Sequence, residues 1–193
     1  MKNLVVDFKK THLGGNMKGG DPGSWCPSVW KYIVEKYNIK TAMDVGSGLG
    51  YAAKFLEEIG VDTLAVDGLE YNVRNSIHSK NVLIDLTESY IEHKVDFINC
   101  IEVVEHIEEK YINNLLDTLS QANYILITHA VPGQQGYHHV NCKPSEYWIE
   151  HLSKCGYEML KEESLHIRLL AEKEGAVHVS RNGMIFKKIN LEN

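Results

Sequence analysis

No stretch of the sequence approaches the roughly 20 consecutive apolar residues that a membrane-spanning helix needs, and no secretory leader opens the chain, so neither a membrane partner nor export is expected. Proline is scarce, and no internal repeat or low-complexity tract appears. Cysteine is scarce as well. The 4 residues, at 26, 100, 142 and 155, have neither the paired spacing of a metal knuckle nor a disulfide framework, which points to a reducing compartment and a cytoplasmic location. Cys100 reads as plain core. Positive charge is in deficit, since 20 Lys and Arg against 26 Asp and Glu leave a net charge of −6. No broad field therefore gathers a phosphate backbone, and nucleic acid ranks low as a substrate, although a local basic patch stays open. The 193 residues suit one domain, 1–193, with a single sizeable core.

What the chain does have is glycine in telling places. In Thr41-Ala42-Met43-Asp44-Val45-Gly46-Ser47-Gly48-Leu49-Gly50, an apolar strand carries an acid near its end and runs into three alternate glycines. Glycines there let the backbone turn sharply and approach a ligand, and the helix that follows aims free N–H groups at it. A dinucleotide fingerprint would need a small residue where Tyr51 stands. Asp44 would also repel a pyrophosphate, whereas it suits a cationic group such as an amino acid ammonium. The segment resembles motif I of the class I S-adenosylmethionine-dependent methyltransferases.

Three further strand ends follow the same pattern. Gly60–Gly68 is a short apolar strand ending at Asp67-Gly68, about twenty residues after the glycines, where such folds place a ribose-binding carboxylate. Asn81–Ile84 ends at Asp85-Leu86, which resembles the family's adenine pocket, an acid for the exocyclic amine and an apolar side chain over the ring. Val95–Ile101 runs into Glu102. Each acid alone could be a turn residue or a helix N-cap; four in register favour the methyltransferase reading. The resemblance implies that Asp44, Gly46, Ser47, Gly48, Asp67, Gly68, Asp85, Leu86 and Ile101 bind S-adenosyl-L-methionine.

Strands are expected near 41–45, 63–66, 81–84, 95–101 and 124–129, with helices between, which implies an α/β doubly wound, mostly parallel sheet. After a helix near Ser145 to Cys155 with Gly156 as its C-cap, the segments 157–163 and 183–189 read as strands, and the family resemblance places an antiparallel edge strand there, making seven. Residues 1–26 form a Gly-rich N-terminal arm, with glycines at 14, 15, 19, 20 and 23, before Pro27 opens a helix with apolar Val29, Trp30, Ile33, Val34 and Tyr37 at helical spacing. This arm, carrying His12 and Trp25, is either a lid over the cofactor or a loose terminus with a core tryptophan.

The chemistry is expected in Ile101-Glu102-Val103-Val104-Glu105-His106. On a helical turn, Glu102, Glu105 and His106 share one face, and two carboxylates with an imidazole can form part of a divalent metal site with open positions. A later ligand is sought in Tyr137-His138-His139-Val140-Asn141, after the fifth strand. Glu102-x-x-Glu105-His106 with a later His before the helix at Pro144-Ser145-Glu146-Tyr147-Trp148 resembles the metal-dependent methyltransferases of small-RNA 2′ hydroxyls, and E-x-x-E-H alone resembles the O-methyltransferases of ubiquinone synthesis. The resemblance favours His139 as the fourth ligand beside Glu102, Glu105 and His106, for Mg²⁺ or Mn²⁺. Adjacent residues of an extended segment point opposite ways, so at most one of the two histidines binds the ion. His138 and His129 remain as catalytic candidates, and His129 reads equally well as a satisfied core residue.

An alcohol ionises near the pKa of water, about 15.7, and each unit above neutral pH costs about 1.4 kcal/mol, so an ion that stabilises the developing oxyanion suits O-methylation. The expected function is a metal-assisted O-methyltransferase acting on a sugar hydroxyl of a glycan or glycoside, because vicinal hydroxyls fit open metal positions and because Gly20-Asp21-Pro22-Gly23-Ser24-Trp25 with His138-His139-Val140-Asn141 resembles compact methyltransferase domains of glycan synthesis. The alternatives are an RNA terminal ribose, a small phenolic metabolite, and a noncatalytic cofactor-binding subunit.

Overall fold

The computed structural model describes residues 4–189. Its centre is a seven-stranded sheet of β3 (Thr41–Val45), β4 (Asp62–Asp67), β5 (Asn81–Leu83), β6 (Val95–Cys100), β7 (Ala122–Ile127), β8 (Tyr157–Met159) and β9 (Met184–Lys188). The spatial order is β5-β4-β3-β6-β7-β9-β8. Strands β3 to β7 pair in parallel, β9 runs antiparallel between β7 and β8, and β8 forms the outer edge.

Alternation along the strands divides the core in two. Ile98, Ile125, Ile127 and Phe186 face one cluster, with Leu115 and Leu119 of α4 (Ile112–Leu119) and Trp148 of α5 (Ser145–Lys154). Their neighbours Phe97, Leu126 and Ile185 face the other, with Trp30 and Ile33 of α1 (Pro27–Tyr37), Leu56 of α2 (Tyr51–Glu58), Ile167 of α6 (Lys161–Glu174) and Val179 of α7 (Val177–Asn182). A period of two on each strand thus buries both faces, as a parallel sheet under helices on each side requires. The short α3 (Glu70–Arg74) follows β4.

The expected strand 157–163 is corrected to Tyr157–Met159. Residues from Lys161 onward are strong helix formers, with Glu162 and Glu163 in the first turn and Gly175 closing the helix in the left-handed region, so α6 replaces the end of that strand. The arm is built rather than loose over residues 4–26: β1 (Leu4–Val6) and β2 (Gly14–Met17) pair antiparallel as a separate small sheet. No helix among the described residues is long and apolar enough to cross a membrane.

Candidate active site

The chain leaves β3 for β4 and β5 on one side and returns to β6 on the other, so the carboxyl ends of β3 and β6 flank the switch point where such sheets bind ligands. A cavity of about 830 Å³ opens there, and all nine residues assigned to the cofactor line it. Gly46, Gly48 and Gly50 have φ of 71°, 55° and 80°, a left-handed path that glycine takes without steric cost. Gly46 is also packed under Val103, where a Cβ would overlap the valine methyl.

Asp44 lies buried beneath this loop. Its oxygens accept from the Ala53 N–H at 3.2 Å and the Asn99 amide at 2.7 Å, and Asn99 in turn accepts from the Trp30 indole at 2.9 Å. Burial still pushes its carboxyl up to about 7, so a cation seated beside it would favour its charged form. Asp67 accepts from Gly48 N at 2.8 Å through one oxygen and from Leu69 N at 2.8 Å and Asn72 Nδ2 at 3.0 Å through the other. A carboxylate has about four acceptor positions, so Asp67 fixes the loop and keeps capacity for a ligand hydroxyl. Gly-rich loop, buried carboxylate and ribose-distance acid fit S-adenosylmethionine.

At the expected adenine end, Leu86 is buried and Asp85 is engaged from the arm. His12 Nε2 lies 2.9 Å from Asp85 and Lys10 Nζ 3.3 Å, while Lys10 also reaches Glu88 at 2.7 Å. Burial alone would raise the Asp85 carboxyl; the Thr87 hydroxyl and His12 hold it below the usual carboxylate range.

The structure brings together three of the four residues expected to hold a metal. Donor atoms of Glu105, His106 and His139 lie within 4.8 Å of one another, but Glu102 is not among them. The helical turn starts only at Val104, as a single 3-10 turn over Val104–His106, and Glu102 sits before it at φ 57°, so the expected shared helix face does not form. Instead Glu102 accepts from the Thr128 hydroxyl at 2.9 Å and from His178 Nδ1 at 3.1 Å. Burial would raise its carboxyl, yet His178 and Thr128 hold it below the normal range. Glu105 is the opposite case: fully buried, neither of its oxygens has a partner, and burial with the neighbouring Glu102 pushes its carboxyl up to about 8. Burial and the neighbouring His139 hold His106 down to about 4, so its imidazole is neutral. Nδ1 of His106 and of His139 are also buried without partners. Val140 N and Asn141 N both donate to the Glu105 carbonyl at 3.0 Å, which staples the histidine loop to the turn, and the bare Cα of Gly136 makes room for the His139 ring. Three residues whose ligand atoms lie within 4.8 Å of one another, each with a buried polar atom that lacks a partner, fit a divalent cation, with a neutral His106 imidazole and a carboxylate that must lose its proton.

Both histidines expected to be catalytic lie away from the cluster. His129 is fully buried outside the cavity, with Nε2 2.9 Å from the Ser145 hydroxyl and its backbone carbonyl taken by Asn182. It ties β7 to α5 and α7. His138, at φ 49°, does not line the cavity; its ring faces His12 with centroids 6.4 Å apart. His139 turns to the cluster and His138 away, but His138 lies in a left-handed turn and not in an extended segment, so strand-like alternation is not what separates them. The sequence reading missed Asn99, although a polar residue inside the apolar strand VDFINC was a visible signal. It also missed His178 and Asp21, whose meeting depends on segments more than 150 residues apart and leaves no local trace.

The family described as "Methyltransferase domain" matches residues 43–127, the loop, the acids and the Glu-Glu-His turn together. Among curated proteins, a ubiquinone biosynthesis O-methyltransferase of Rickettsia bellii is 28% identical over 147 residues, 66% of this chain and 61% of that one. The chain thus spans about three fifths of the length of the curated relatives it matches first. Among solved structures, an S-adenosylmethionine-dependent methyltransferase from Archaeoglobus fulgidus superposes with a TM-score of 0.58 at 19% identity, covering 88% of this chain and 96% of that one. The magnesium protoporphyrin IX methyltransferase of Synechocystis PCC 6803, solved with S-adenosylmethionine bound, gives 0.56 at 18% identity over 68% and 67% of the two chains. Residues 43–127 thus match a methyltransferase domain family, and the fold of the chain is that of the Rossmann-like S-adenosylmethionine-dependent methyltransferases it superposes on.

Proposed function

We propose that this chain methylates a hydroxyl of a neutral acceptor, a sugar of a glycan or glycoside, using S-adenosylmethionine and a divalent ion, Mg²⁺ or Mn²⁺. The observation that carries the reading is the convergence of Glu105, His106 and His139, with buried partnerless donor atoms, beside the cavity under the glycine loop. Those three residues would hold the ion, whose contribution is Lewis-acid stabilisation of negative charge on the acceptor oxygen. Asp44 meets the ammonium of the methionine part, Asp67 accepts from the ribose hydroxyls, and the backbone turn through Gly46 and Gly48 admits the ligand closely. Together they fix the direction of the methyl group, which needs in-line presentation rather than activation.

The cavity wall supports a neutral acceptor. Among the described residues it carries Asp21, Asp44, Asp67, Asp85, Glu102 and Glu174 but neither Lys nor Arg, and the one imidazole flanked by carboxylates, His178, is already bonded to Asp21 and Glu102, so no Lys or Arg is placed for the capture of phosphate. This ranks a sugar hydroxyl above an RNA terminus. The relationship to ubiquinone O-methyltransferases keeps a small phenol as the second reading.

The experiment is methyl transfer to a panel of nucleotide sugars, oligosaccharides, catechols and RNA ends, with and without chelator. Chelation is expected to abolish turnover, Mg²⁺ or Mn²⁺ to restore it, and Glu105→Ala or His106→Ala to be nearly inactive while still binding cofactor. Full turnover in excess chelator, with folded Glu105→Ala active, would assign the cluster a structural role.

A further inference from the structure

His178 sits where three distant parts of the chain meet. Its Nε2 is 3.0 Å from an Asp21 oxygen and its Nδ1 3.1 Å from a Glu102 oxygen, so both ring nitrogens donate and the ring is an imidazolium. Asp21 begins the turn Asp21-Pro22-Gly23-Ser24, closed by the Ser24 N–H to the Asp21 carbonyl at 3.1 Å and by Asp21 side-chain bonds to Gly23 N and the Ser24 hydroxyl, both 2.9 Å. That turn is docked on α7 a second time, because the His178 N–H donates to the Gly23 carbonyl at 3.1 Å. A Cβ on Gly23 would stand 2.7 Å from the His178 ring, so only glycine permits the approach. Asp21, Pro22, Ser24 and the neighbouring Trp25 all line the cavity.

At the other end of the imidazolium, Glu102 occupies the left-handed region, which a non-glycine residue keeps only when its surroundings hold it. Thr128 and His178 supply that hold. The Thr128 hydroxyl accepts the Glu102 N–H at 2.8 Å and bonds one carboxylate oxygen, and His178 takes the other. The result sets Glu102 beside Glu105 yet outside the three-residue cluster.

We propose that His178 is a positioning residue that couples the seating of the arm turn 21–24 over the cavity to the setting of the Glu102 carboxylate at the reacting end. The proposal rests on reading the cavity as the methyl-transfer site. Its logic is electrostatic. One cation pairs with two carboxylates from distant segments of the chain, so removing any member of Asp21, His178 and Glu102 loosens the other two. The arm thereby carries the information that the reacting end is correctly arranged, and the converse.

Tryptic cleavage after the exposed Lys18, read by mass in the free protein, reports whether the arm is seated. His178→Ala and Asp21→Asn are each expected to speed that cut about tenfold, the size of one lost charged hydrogen bond. Glu102→Gln, remote from the arm in sequence, is expected to speed it severalfold as well. In the Asp21→Asn background, His178→Ala should add less than about a further twofold, because coupled partners are not additive. A role of His178 confined to packing α7 would give additive effects and leave Glu102→Gln silent; either result, or unchanged cleavage in His178→Ala, overturns the proposal. Should His178→Ala fail to fold by circular dichroism, Asp21→Asn and Glu102→Gln decide alone. Calorimetry of the wild-type protein with S-adenosylmethionine separates the two readings: no binding refutes the methyltransferase reading whatever the cleavage shows, and binding with unmoved cleavage refutes only this coupling.

Discussion

Two positions show how single residues set the site. Gly46 needs glycine twice, for a φ of 71° and for the Val103 side chain that occupies the space of a Cβ. Gly46→Ala is therefore expected to destabilise the fold by about 1–3 kcal/mol and to weaken cofactor binding, and Val103→Ala should restore part of that stability by clearing the overlap. Thermal melts of the two single variants and the double variant measure this, and additive losses would show that Val103 is not the obstacle. Asp67 is engaged on both oxygens by Gly48, Leu69 and Asn72. Asp67→Ala should lower cofactor affinity about tenfold to a hundredfold by calorimetry and, because the loop loses its anchor, lower stability by about 1–3 kcal/mol as well. An unchanged affinity in the folded variant would remove Asp67 from the site. Its spacing after the glycines is what proposes the ligand role; its structural role was not legible, because the bonds run to the Gly48 and Leu69 N–H groups and the Asn72 amide, whose directions only the folded loop defines.

At the scale of elements, the parallel strands and α1 were legible because alternating and helical periods each recur over several residues, and α1 spans Pro27–Tyr37 as its proline and apolar spacing indicated. Short pieces were less so. A three-residue strand such as β8 carries too little pattern to be told from the first turn of α6, and the Glu-x-x-Glu-His segment looked like a helix start because a left-handed Glu102 has no sequence marker. The contact between the arm and α7 was beyond sequence reasoning, yet it has a clear pH signature. Asp21 and then Glu102 raise His178 from its ordinary 6.5 to about 10, so this stabilisation is complete below about 6.5, declines as pH rises and is gone above about 10. His178 and the turn donors lower Asp21 from 3.8 to about 2, so its share is present above about 3.8 and is lost as pH falls towards 2. The difference in melting temperature between wild type and His178→Ala should therefore be largest near pH 4 to 6.5 and shrink steadily towards pH 10. A difference that stays constant over that range would mean that the imidazolium is not what α7 contributes.

For the molecule as a whole, charge and cavity chemistry both favour the neutral acceptor proposed above. The net charge of −6 and a cavity wall with six carboxylates and neither Lys nor Arg among the described residues oppose a polyanion both at long range and on contact. A protein that neutralises several phosphates loses affinity steeply with salt, with a slope of about −0.9 per phosphate contacted in duplex DNA and about −0.7 in single strands. Short single-stranded RNA is thus expected not to bind measurably at physiological ionic strength. Methyl transfer to a neutral oligosaccharide should vary less than about twofold in kcat/KM between 50 and 200 mM salt, since no ion pair with the acceptor is there to be screened. Acceptor kinetics across that salt range, with RNA binding followed by fluorescence anisotropy, test both halves. Tight, steeply salt-dependent RNA binding with methylation of its terminal ribose would transfer the site from sugars to nucleic acid, and would require basic groups outside the cavity wall to do the holding.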